Sequence, residues 1–227
     1  MKRIALFDLD HTLLPIDSDN EWGRFLSRTG RIADPAAFSA QVDAFFEQYK
    51  AGQLDPVEHL RFVLSAFANR PAAEIEAWRQ EYIDTVIRPV LHPDAQALVQ
   101  KHLAAGDLCA IVTATNSFVT APIATLFGVE HLLGAEGEQH EGVYTGNPKP
   151  GVTITFQGGK LVRIQEWLAE QGLDLDHFDE IWAYSDSRND LPMLTRATHP
   201  VAVNPDTTLR QIAHERAWPI IDLFHLT

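Results

Sequence analysis

Two aspartates near the start of the chain, Asp8 and Asp10, have the spacing of a paired-carboxylate site. They follow the apolar, strand-like residues 4–7, and side chains two apart on a strand lie on the same face. If the chain turns at the strand end, both carboxylates reach the edge where open α/β sheets bind ligands. Two acids held together are costly without a cation or a shared proton. The pair therefore predicts a metal ligand and nucleophile next to an acid/base, and the alternative is a polar loop that caps a helix.

Two later motifs suit a bound phosphate group. Thr113 ends the apolar residues 108–113, where its hydroxyl and free backbone N–H groups can meet a phosphate oxygen. Gly158-Gly159-Lys160 precedes a predicted helix, whose N-terminus favours an anion and to which Lys160 adds a full charge. Each motif also has a purely structural interpretation. Thr113 could simply favour the strand, and Gly158-Gly159-Lys160 could be a turn with a solvated Lys side chain.

A second acidic motif follows another apolar run, residues 181–184. Asp186 comes at its end, and Asp190 lies four residues later. Carboxylate oxygens near Asp8 are the ligands that Mg²⁺ selects, although Asp190 could equally stabilise a helix dipole. The order of the four motifs, three of them directly after buried strands, predicts a phosphoryl-transfer site.

Strands and helices alternate on both sides of one helical segment. Buried strands are predicted at residues 3–8, 108–113, 131–135, 180–185 and 201–203, and a hairpin pairs 143–145 with 152–156. From about residue 19 to residue 87 the chain has helical periodicity, including an Asp55-Pro56 helix start. This pattern predicts an α/β fold with a mostly parallel sheet covered on both faces and a helical insertion. The alternative is that the helices belong to one continuous α+β domain.

Composition narrows the class of protein. The chain has 227 residues, 45% of them hydrophobic, which suits one large domain or a core with an insertion. A formal net charge of -13 argues against nucleic-acid binding. A single cysteine, Cys109, excludes a disulfide within the chain and is expected to be a small buried side chain. With no signal peptide and no bilayer-spanning apolar run, we expect a cytoplasmic protein without membrane contact.

The chain resembles the haloacid dehalogenase-like superfamily along essentially its whole length. Residues 7–12, Thr113, Lys160 and residues 185–190 look like the four motifs of that family. The helical segment resembles its type-one (C1) cap, and the layout looks most like the branch with phosphoserine phosphatases, subfamily IB. The resemblance implies a three-layer, Rossmann-like core at residues 1–16 and 88–227 and an inserted cap at 17–87.

Residue roles are implied by the same resemblance. Asp8 is expected to form an aspartyl-phosphate, and Asp10 to protonate the leaving oxygen and activate water. The resemblance implies that Mg²⁺ is held by Asp8, the backbone carbonyl of Asp10 and Asp186, with Asp190 acting directly, through water or through Lys160. The expected phosphate-binding residues are Thr113, Ala114 and Lys160.

Some residues depart from the family pattern. His11 stands where Gly is common, Ser185 and Ser187 replace the glycines of a Gly-Asp-Gly motif, and Ala114 replaces a Gly of phosphoserine phosphatases. The last change weakens an assignment to phosphoserine. Candidate substrate-binding residues in the cap are Asp17 and Glu21 for an ammonium group, and Arg24, Arg28 and Arg61 for a carboxylate.

The predicted function is hydrolysis of a small phosphorylated metabolite, with Mg²⁺ as cofactor. Phosphoserine and histidinol phosphate are the candidate substrates, and the protein is expected to be a monomer or homodimer. The alternatives are a phosphotransferase or mutase of the same fold and a catalytically silent binding protein. The silent protein is disfavoured because Asp8, Asp10, Asp186 and Asp190 are all present.

Overall fold

The computed structural model describes residues 2–224, which are built around one parallel sheet. Its strands, in chain order, are β1 (Arg3–Phe7), β2 (Leu108–Asn116), β3 (His131–Ala135), β4 (Gly137–His140), β5 (Val143–Pro148), β6 (Glu180–Ser185), β7 (His199–Val203) and β8 (Ile220–Ile221). Six of them form a sheet in the order β3-β2-β1-β6-β7-β8, with every neighbouring pair parallel. This confirms the predicted α/β class and places β1 at the centre of the sheet.

Helices cover the sheet, and five of them lie between β1 and β2 in the sequence. They are α1 (Ser18–Arg28), α2 (Pro35–Ala51), α3 (Pro56–Ser65), α4 (Ala72–Tyr82), α5 (Pro93–Ala104), α6 (Ser117–Phe127), α7 (Gly158–Glu170), α8 (Leu191–Arg196) and α9 (Thr207–Glu215). A π-helical turn, Ile83–Ile87, follows α4. Asp55 caps α3 and Pro56 is at its start, as predicted. Within the part of the chain that the structure describes, no helix combines the length and apolarity needed to span a bilayer.

The sheet separates two hydrophobic clusters. Alternate residues of β1 face opposite sides, with Ala5 and Phe7 in one cluster and Ile4 and Leu6 in the other. Both faces are therefore covered, which gives the three-layer arrangement. Cys109 is buried and unpaired in the first cluster, as expected for a small apolar side chain.

Helices α1, α3 and α4 contribute to the same hydrophobic cluster as α5 and α6. Trp22 and Phe25 of α1 share a hydrophobic cluster with Phe7 of β1 and Val119 of α6. Helix α1 packs against α2, and α3 against β5. The four helices lie where the sequence predicts a cap, and the division into a core and a cap at residues 17–87 stays a prediction.

The predicted hairpin is wrong in its pairing. Strand β5 pairs with β4, which precedes it, and residues 152–156 form no strand. Glu141 and Gly142 form the turn with φ of 52° and 79°, the two positive values of a type I′ hairpin turn. The sequence does not predict this turn, because Asn or Asp usually precedes the Gly of a type I′ turn and Glu141 stands there instead.

Candidate active site

Three strand ends bring the predicted motifs together at one edge of the sheet. Strand β1 lies between β2 and β6. Asp8 directly follows β1, Thr113 lies near the end of β2, and Asp186 directly follows β6. Lys160, in the first turn of α7, reaches the same edge. The parallel order of the strands thus explains why residues far apart in sequence converge.

Lys160 is held between two carboxylates. Its Nζ lies 2.6 Å from Asp8 Oδ1 and 2.7 Å from Asp190 Oδ2, and its side chain is 5% exposed. Burial lowers the pKa of Lys160, but the charges of Asp190 and Asp8 outweigh burial and the net shift is upward. Ser185 Oγ donates a further hydrogen bond to Asp190 Oδ2 at 2.7 Å. Asp190 therefore contacts Asp8 through Lys160, which is a fixed cation beside the predicted nucleophile.

Gly159 allows the close approach of chain segments that places Lys160. A Cβ on Gly159 would lie 2.1 Å from the carbonyl oxygen of Ile154, whereas a Cβ on Gly158 would meet no atom within 4 Å. We expect Gly159→Ala to lower the free energy of unfolding by about 1–3 kcal/mol, because backbone must move. Gly158→Ala is the matched control and should change it by less than about 0.5 kcal/mol. Urea unfolding measures both, and equal stabilities would contradict the steric argument.

Asp8 and Asp186 share one hydroxyl group. Thr12 Oγ1 lies 3.1 Å from Asp186 Oδ1 and 3.4 Å from Asp8 Oδ2, and it accepts a hydrogen bond from the Asp186 N–H at 3.0 Å. Burial and the charges of Asp8 and Asp190 raise the pKa of Asp186 well above its ordinary value. The site thus concentrates negative charge that a bound cation would stabilise.

Asp8 and Asp186 are two carboxylates whose arrangement suits Mg²⁺. Within residues 2–224, no three His, Cys, Asp or Glu side chains converge as a metal-binding group. Asp8 and Asp186 do approach one another, and their all-oxygen donors suit a hard cation. Lys160 contacts one carboxylate oxygen each of Asp8 and Asp190, and Thr115 donates to Asp10 Oδ2. The backbone carbonyl of Asp10 and the carboxylate of Asp190 stay predicted contributors to the metal site.

Asp10 has surroundings that favour its protonated form. Its Oδ1 accepts from the Ser18 N–H at 2.7 Å, and its Oδ2 accepts from Thr115 Oγ1 at 2.7 Å. Burial, followed by the charge of Asp17, raises the pKa of Asp10 despite these hydrogen bonds. A carboxyl group with a raised pKa is suited to give a proton to a leaving group.

The segment at the end of β2 supplies hydroxyl groups to the site. Thr113 Oγ1 accepts from the Thr115 N–H at 3.1 Å and lies 3.5 Å from Asp10 Oδ2. Thr113 and Ala114 line the same cavity as Asp8, where the sequence predicts phosphate binding. The hydrogen bond of Thr115 to Asp10 was not predicted, and the sequence holds no signal for it beyond the Thr-x-Thr spacing.

A cavity extends from Asp8 between the strand ends and helices α1, α2 and α3. Its polar lining includes Asp17, Asp19 and His59, beside Asp10 and Lys160. Its apolar lining is rich in aromatic side chains: Trp22, Phe38, Phe45, Phe46, Tyr49, Phe62 and Phe156. The aromatic residues come mainly from α2 and α3, so the predicted cap segment forms the wall opposite the carboxylates.

Asp19 is a buried acid that sequence analysis did not identify. Its Oδ2 lies 3.2 Å from His59 Nε2, and its Oδ1 accepts from Asn116 Nδ2 at 3.3 Å. Burial, followed by the charge of Asp10, raises the pKa of Asp19 to about 7. Burial also lowers the pKa of His59. The sequence signal was weak, since Asp19 lies in the first turn of a helix, where acids are common.

The raised pKa of Asp19 predicts a pH-dependent cost in stability. The folded state retains a proton up to about pH 7, whereas the unfolded state releases it near 3.8, the ordinary pKa of an aspartate. The free energy of unfolding therefore falls between these pH values, as the unfolded state binds fewer protons. We expect Asp19→Asn to be more stable than the wild type at pH 8, by up to about 4 kcal/mol.

Urea unfolding at pH 4 and pH 8 measures this difference. The gain of Asp19→Asn should be small at pH 4 and largest at pH 8. Asp43→Asn is the matched control, since Asp43 is exposed on α2 and pairs only at the surface with Arg24. A stability gain that is the same at both pH values would show that the pKa of Asp19 is not raised in the folded state.

The other predicted cap residues lie apart from the cavity, except for Asp17. Asp17 lines the cavity and caps α1, accepting from the Asp19 and Asn20 N–H groups. Glu21 and Arg24 pair with each other, and Arg61 is exposed on α3. Arg28 is likewise exposed at the end of α1. None of these four lies among the side chains of residues 2–224 that line the cavity.

The departures from the family pattern have local structural roles. His11 adopts a left-handed backbone conformation, with φ of 57°, and its side chain lines the cavity. A left-handed backbone conformation favours glycine, which explains why Gly is common at this position in the family pattern. Ser185 binds Asp190, and Ser187 Oγ accepts from the Asn189 N–H at 3.2 Å. The two serines therefore order the loop that carries Asp186.

The sequence and the fold of this chain are similar to those of known proteins. A family model described as haloacid dehalogenase-like hydrolase matches residues 5–195. The chain is 38% identical over 223 residues to a histidinol-phosphatase of Neisseria meningitidis, spanning 98% of this chain and 99% of the relative. It is 33% identical over 220 residues to a phosphoserine phosphatase of Mycobacterium tuberculosis, spanning 96% and 70%. A crystal structure of a Bordetella pertussis protein of unknown function has a TM-score of 0.93 at 50% identity, covering 99% of this chain and 100% of that one.

Proposed function

The chain belongs to the haloacid dehalogenase-like hydrolases, and on that premise we propose that it is an Mg²⁺-dependent phosphatase of small phosphomonoesters. The observation that carries the proposal is the placement of Asp8 and Asp186 at adjoining strand ends, with Lys160 Nζ of α7 2.6 Å from Asp8. The names of the Neisseria and Mycobacterium relatives support phosphatase activity and make histidinol phosphate and phosphoserine the candidate substrates. A cytoplasmic setting and a monomeric or homodimeric state stay predictions from the sequence.

Asp8 is the nucleophile in this proposal. One of its carboxylate oxygens bonds to the phosphorus atom while the ester P–O bond breaks, and Asp10 gives its proton to the departing alcohol oxygen. The product is an aspartyl-phosphate on Asp8. Asp10 then takes a proton from water as that water attacks phosphorus, which releases inorganic phosphate and restores both carboxyl groups.

Lys160, Thr113 and Ala114 position the phosphoryl group. The fixed charge of Lys160 faces the oxygens on which negative charge accumulates, and the hydroxyl of Thr113 lies near the end of the neighbouring strand β2. Asp8, Asp186 and the Asp10 carbonyl would hold Mg²⁺. When bound, Mg²⁺ would supply charge neutralisation of the phosphoryl oxygens. Asp190 contributes by fixing Lys160.

The helical segment at residues 17–87 limits the size of the substrate. Its helices α2 and α3 form the aromatic wall of the cavity, and we assign it as the cap over the active site. Such a wall excludes water and macromolecules from the reacting atoms. This supports a small phosphorylated metabolite as the partner.

Phosphate release tests the function. Purified protein with Mg²⁺ should release inorganic phosphate from at least one ester in a panel that includes histidinol phosphate, phosphoserine and p-nitrophenyl phosphate. No release from any ester by folded protein would overturn the proposal and favour a phosphotransferase or a binding protein.

Asp186→Asn tests the metal site. We expect the Mg²⁺ concentration for half-maximal activity to rise by at least about tenfold, because an amide oxygen replaces a charged ligand. Activity measured over a series of Mg²⁺ concentrations checks this shift. Asp94→Asn, at an exposed carboxylate of α5, is the control and should leave the titration unchanged. An unchanged titration for Asp186→Asn would refute the ligand role of Asp186.

A further inference from the structure

We propose that the cavity selects phosphate esters of a cationic alcohol that has no carboxylate group, with Asp19 as the specificity-determining residue. The inference rests on the proposed phosphatase function and concerns the part of the cavity that would hold the leaving alcohol. It follows from four properties of that part of the cavity: its charged groups, the partners of Asp19, an unpaired polar atom nearby, and the aromatic wall.

The charged groups lining the cavity are strongly unbalanced. Within residues 2–224, Lys160 is the only Lys or Arg side chain in the lining, and it is already paired with Asp8 and Asp190. Asp17 and Asp19 lie in the lining on the side of α1. The part of the cavity away from the phosphoryl site therefore has two acids and no Lys or Arg side chain of the described residues to pair with them.

Asp19 is placed next to the proton donor of the proposed reaction. Ser18, its neighbour in the chain, donates its backbone N–H to Asp10 Oδ1 at 2.7 Å. Asp17 is occupied as the cap of α1, because it accepts two backbone N–H groups. Asp19 is instead held by side chains from two other elements, Asn116 before α6 and His59 of α3. A cation attached to the departing alcohol would thus meet Asp19 close to Asp10.

The lining also contains an unpaired acceptor. Asn20 is 9% exposed and lines the cavity, and its Oδ1 accepts no hydrogen bond from the described residues. A buried polar atom without a partner is costly, so a donor from outside the protein would stabilise it. An ammonium or imidazolium group offers such donors.

The aromatic wall suits the same kind of group. Phe45 contacts His59 edge-on with ring centroids 5.1 Å apart, and Phe38 stacks on Phe62 at 4.5 Å. Aromatic faces attract cations, most strongly where water is excluded. The aromatic wall therefore favours a cationic group, as Asp17 and Asp19 do.

Among residues 2–224, no Lys or Arg side chain other than Lys160 lines this cavity to pair with a substrate carboxylate. Arg24 and Arg61 lie outside its lining, with Arg24 bound to Glu21 and Asp43 at the surface. The remaining basic groups of the lining are imidazoles, and His59 is already paired with Asp19. A carboxylate placed beside Asp17 and Asp19 would be desolvated next to two acids without gaining a cation as its partner, which disfavours phosphoserine.

Three esters test the proposal in the full-length protein with Mg²⁺. Histidinol phosphate is the ester of a cationic alcohol without a carboxylate, phosphoserine has both groups, and ethyl phosphate has neither. We expect kcat/KM for histidinol phosphate to exceed the values for both other esters by at least about tenfold. Equal values, or a preference for phosphoserine, would overturn the inference.

Asp19→Asn isolates the contribution of the carboxylate. The ratio of kcat/KM for histidinol phosphate to kcat/KM for ethyl phosphate should fall by about 10- to 100-fold, because a charge-assisted contact is lost. Asp43→Asn should keep the wild-type ratio. An unchanged ratio in Asp19→Asn would overturn the role of Asp19, and its thermal unfolding confirms that the variant is folded.

The two proposals fail in different ways. If the wild type releases no phosphate from any of the three esters, the proposed phosphatase function itself fails. If it hydrolyses ethyl phosphate without preferring histidinol phosphate, the phosphatase function stands and the charge selection is refuted.

Discussion

We expect Asp8→Asn to lower kcat for phosphomonoester hydrolysis by at least about 10⁴-fold while the fold is retained. The amide has nearly the same shape as the carboxylate but cannot attack phosphorus. Asp8 is 6% exposed and follows the central strand β1, so little rearrangement is possible around the new side chain. Asp190 remains as a partner for Lys160, which limits the loss of stability. Phosphate release under saturating substrate and Mg²⁺ measures the effect.

The control for this variant is a carboxylate of the same type at the surface. Asp222 pairs with Arg210 and is more than half exposed, so Asp222→Asn should keep wild-type activity. Circular dichroism and thermal unfolding of Asp8→Asn should resemble the wild type. Activity of Asp8→Asn near the wild-type value would remove the aspartyl-phosphate mechanism.

The sequence predicts the sheet and its catalytic edge because both depend on local signals. Apolar runs of strand type mark β1, β2 and β6, and parallel strands present their carboxyl ends on one side. Asp8, Thr113 and Asp186 could therefore be placed together from their positions after or at the ends of these strands. Lys160 followed from a glycine pair before a helix.

The cavity wall could not be predicted in the same way. The contact between Asp19 and His59 joins α1 to α3, and it depends on how two helices pack rather than on a spacing in the chain. The helical periodicity predicted several helices between residues 19 and 87, but not which of their polar side chains face Asp10. Arg24 and Arg61 had suitable chemistry for a carboxylate, yet the helix faces that carry them turn to the surface.

The second large effect is expected for Lys160→Met. It leaves Asp8 and Asp190 buried without their cation, and breaking a buried ion pair in this way costs about 3–5 kcal/mol of unfolding free energy. The loss should be smaller at pH 5 than at pH 8, because burial raises the pKa of Asp190 and its unpaired carboxyl takes up a proton more readily in the folded state. Urea unfolding with a chelator present measures the stability. Activity should fall by at least about 10³-fold, since the phosphoryl clamp is removed.

Adding Asp190→Asn to Lys160→Met separates the two roles of the lysine. The double variant has one unpaired buried charge fewer, so it should be more stable than Lys160→Met alone. Its activity should stay as low as that of the single variant, because no cation faces the phosphoryl group. If the double variant recovered activity together with stability, the lysine would serve the fold alone. If Lys160→Met were as stable as the wild type, the buried contacts of Lys160 with Asp8 and Asp190 would not contribute to the fold.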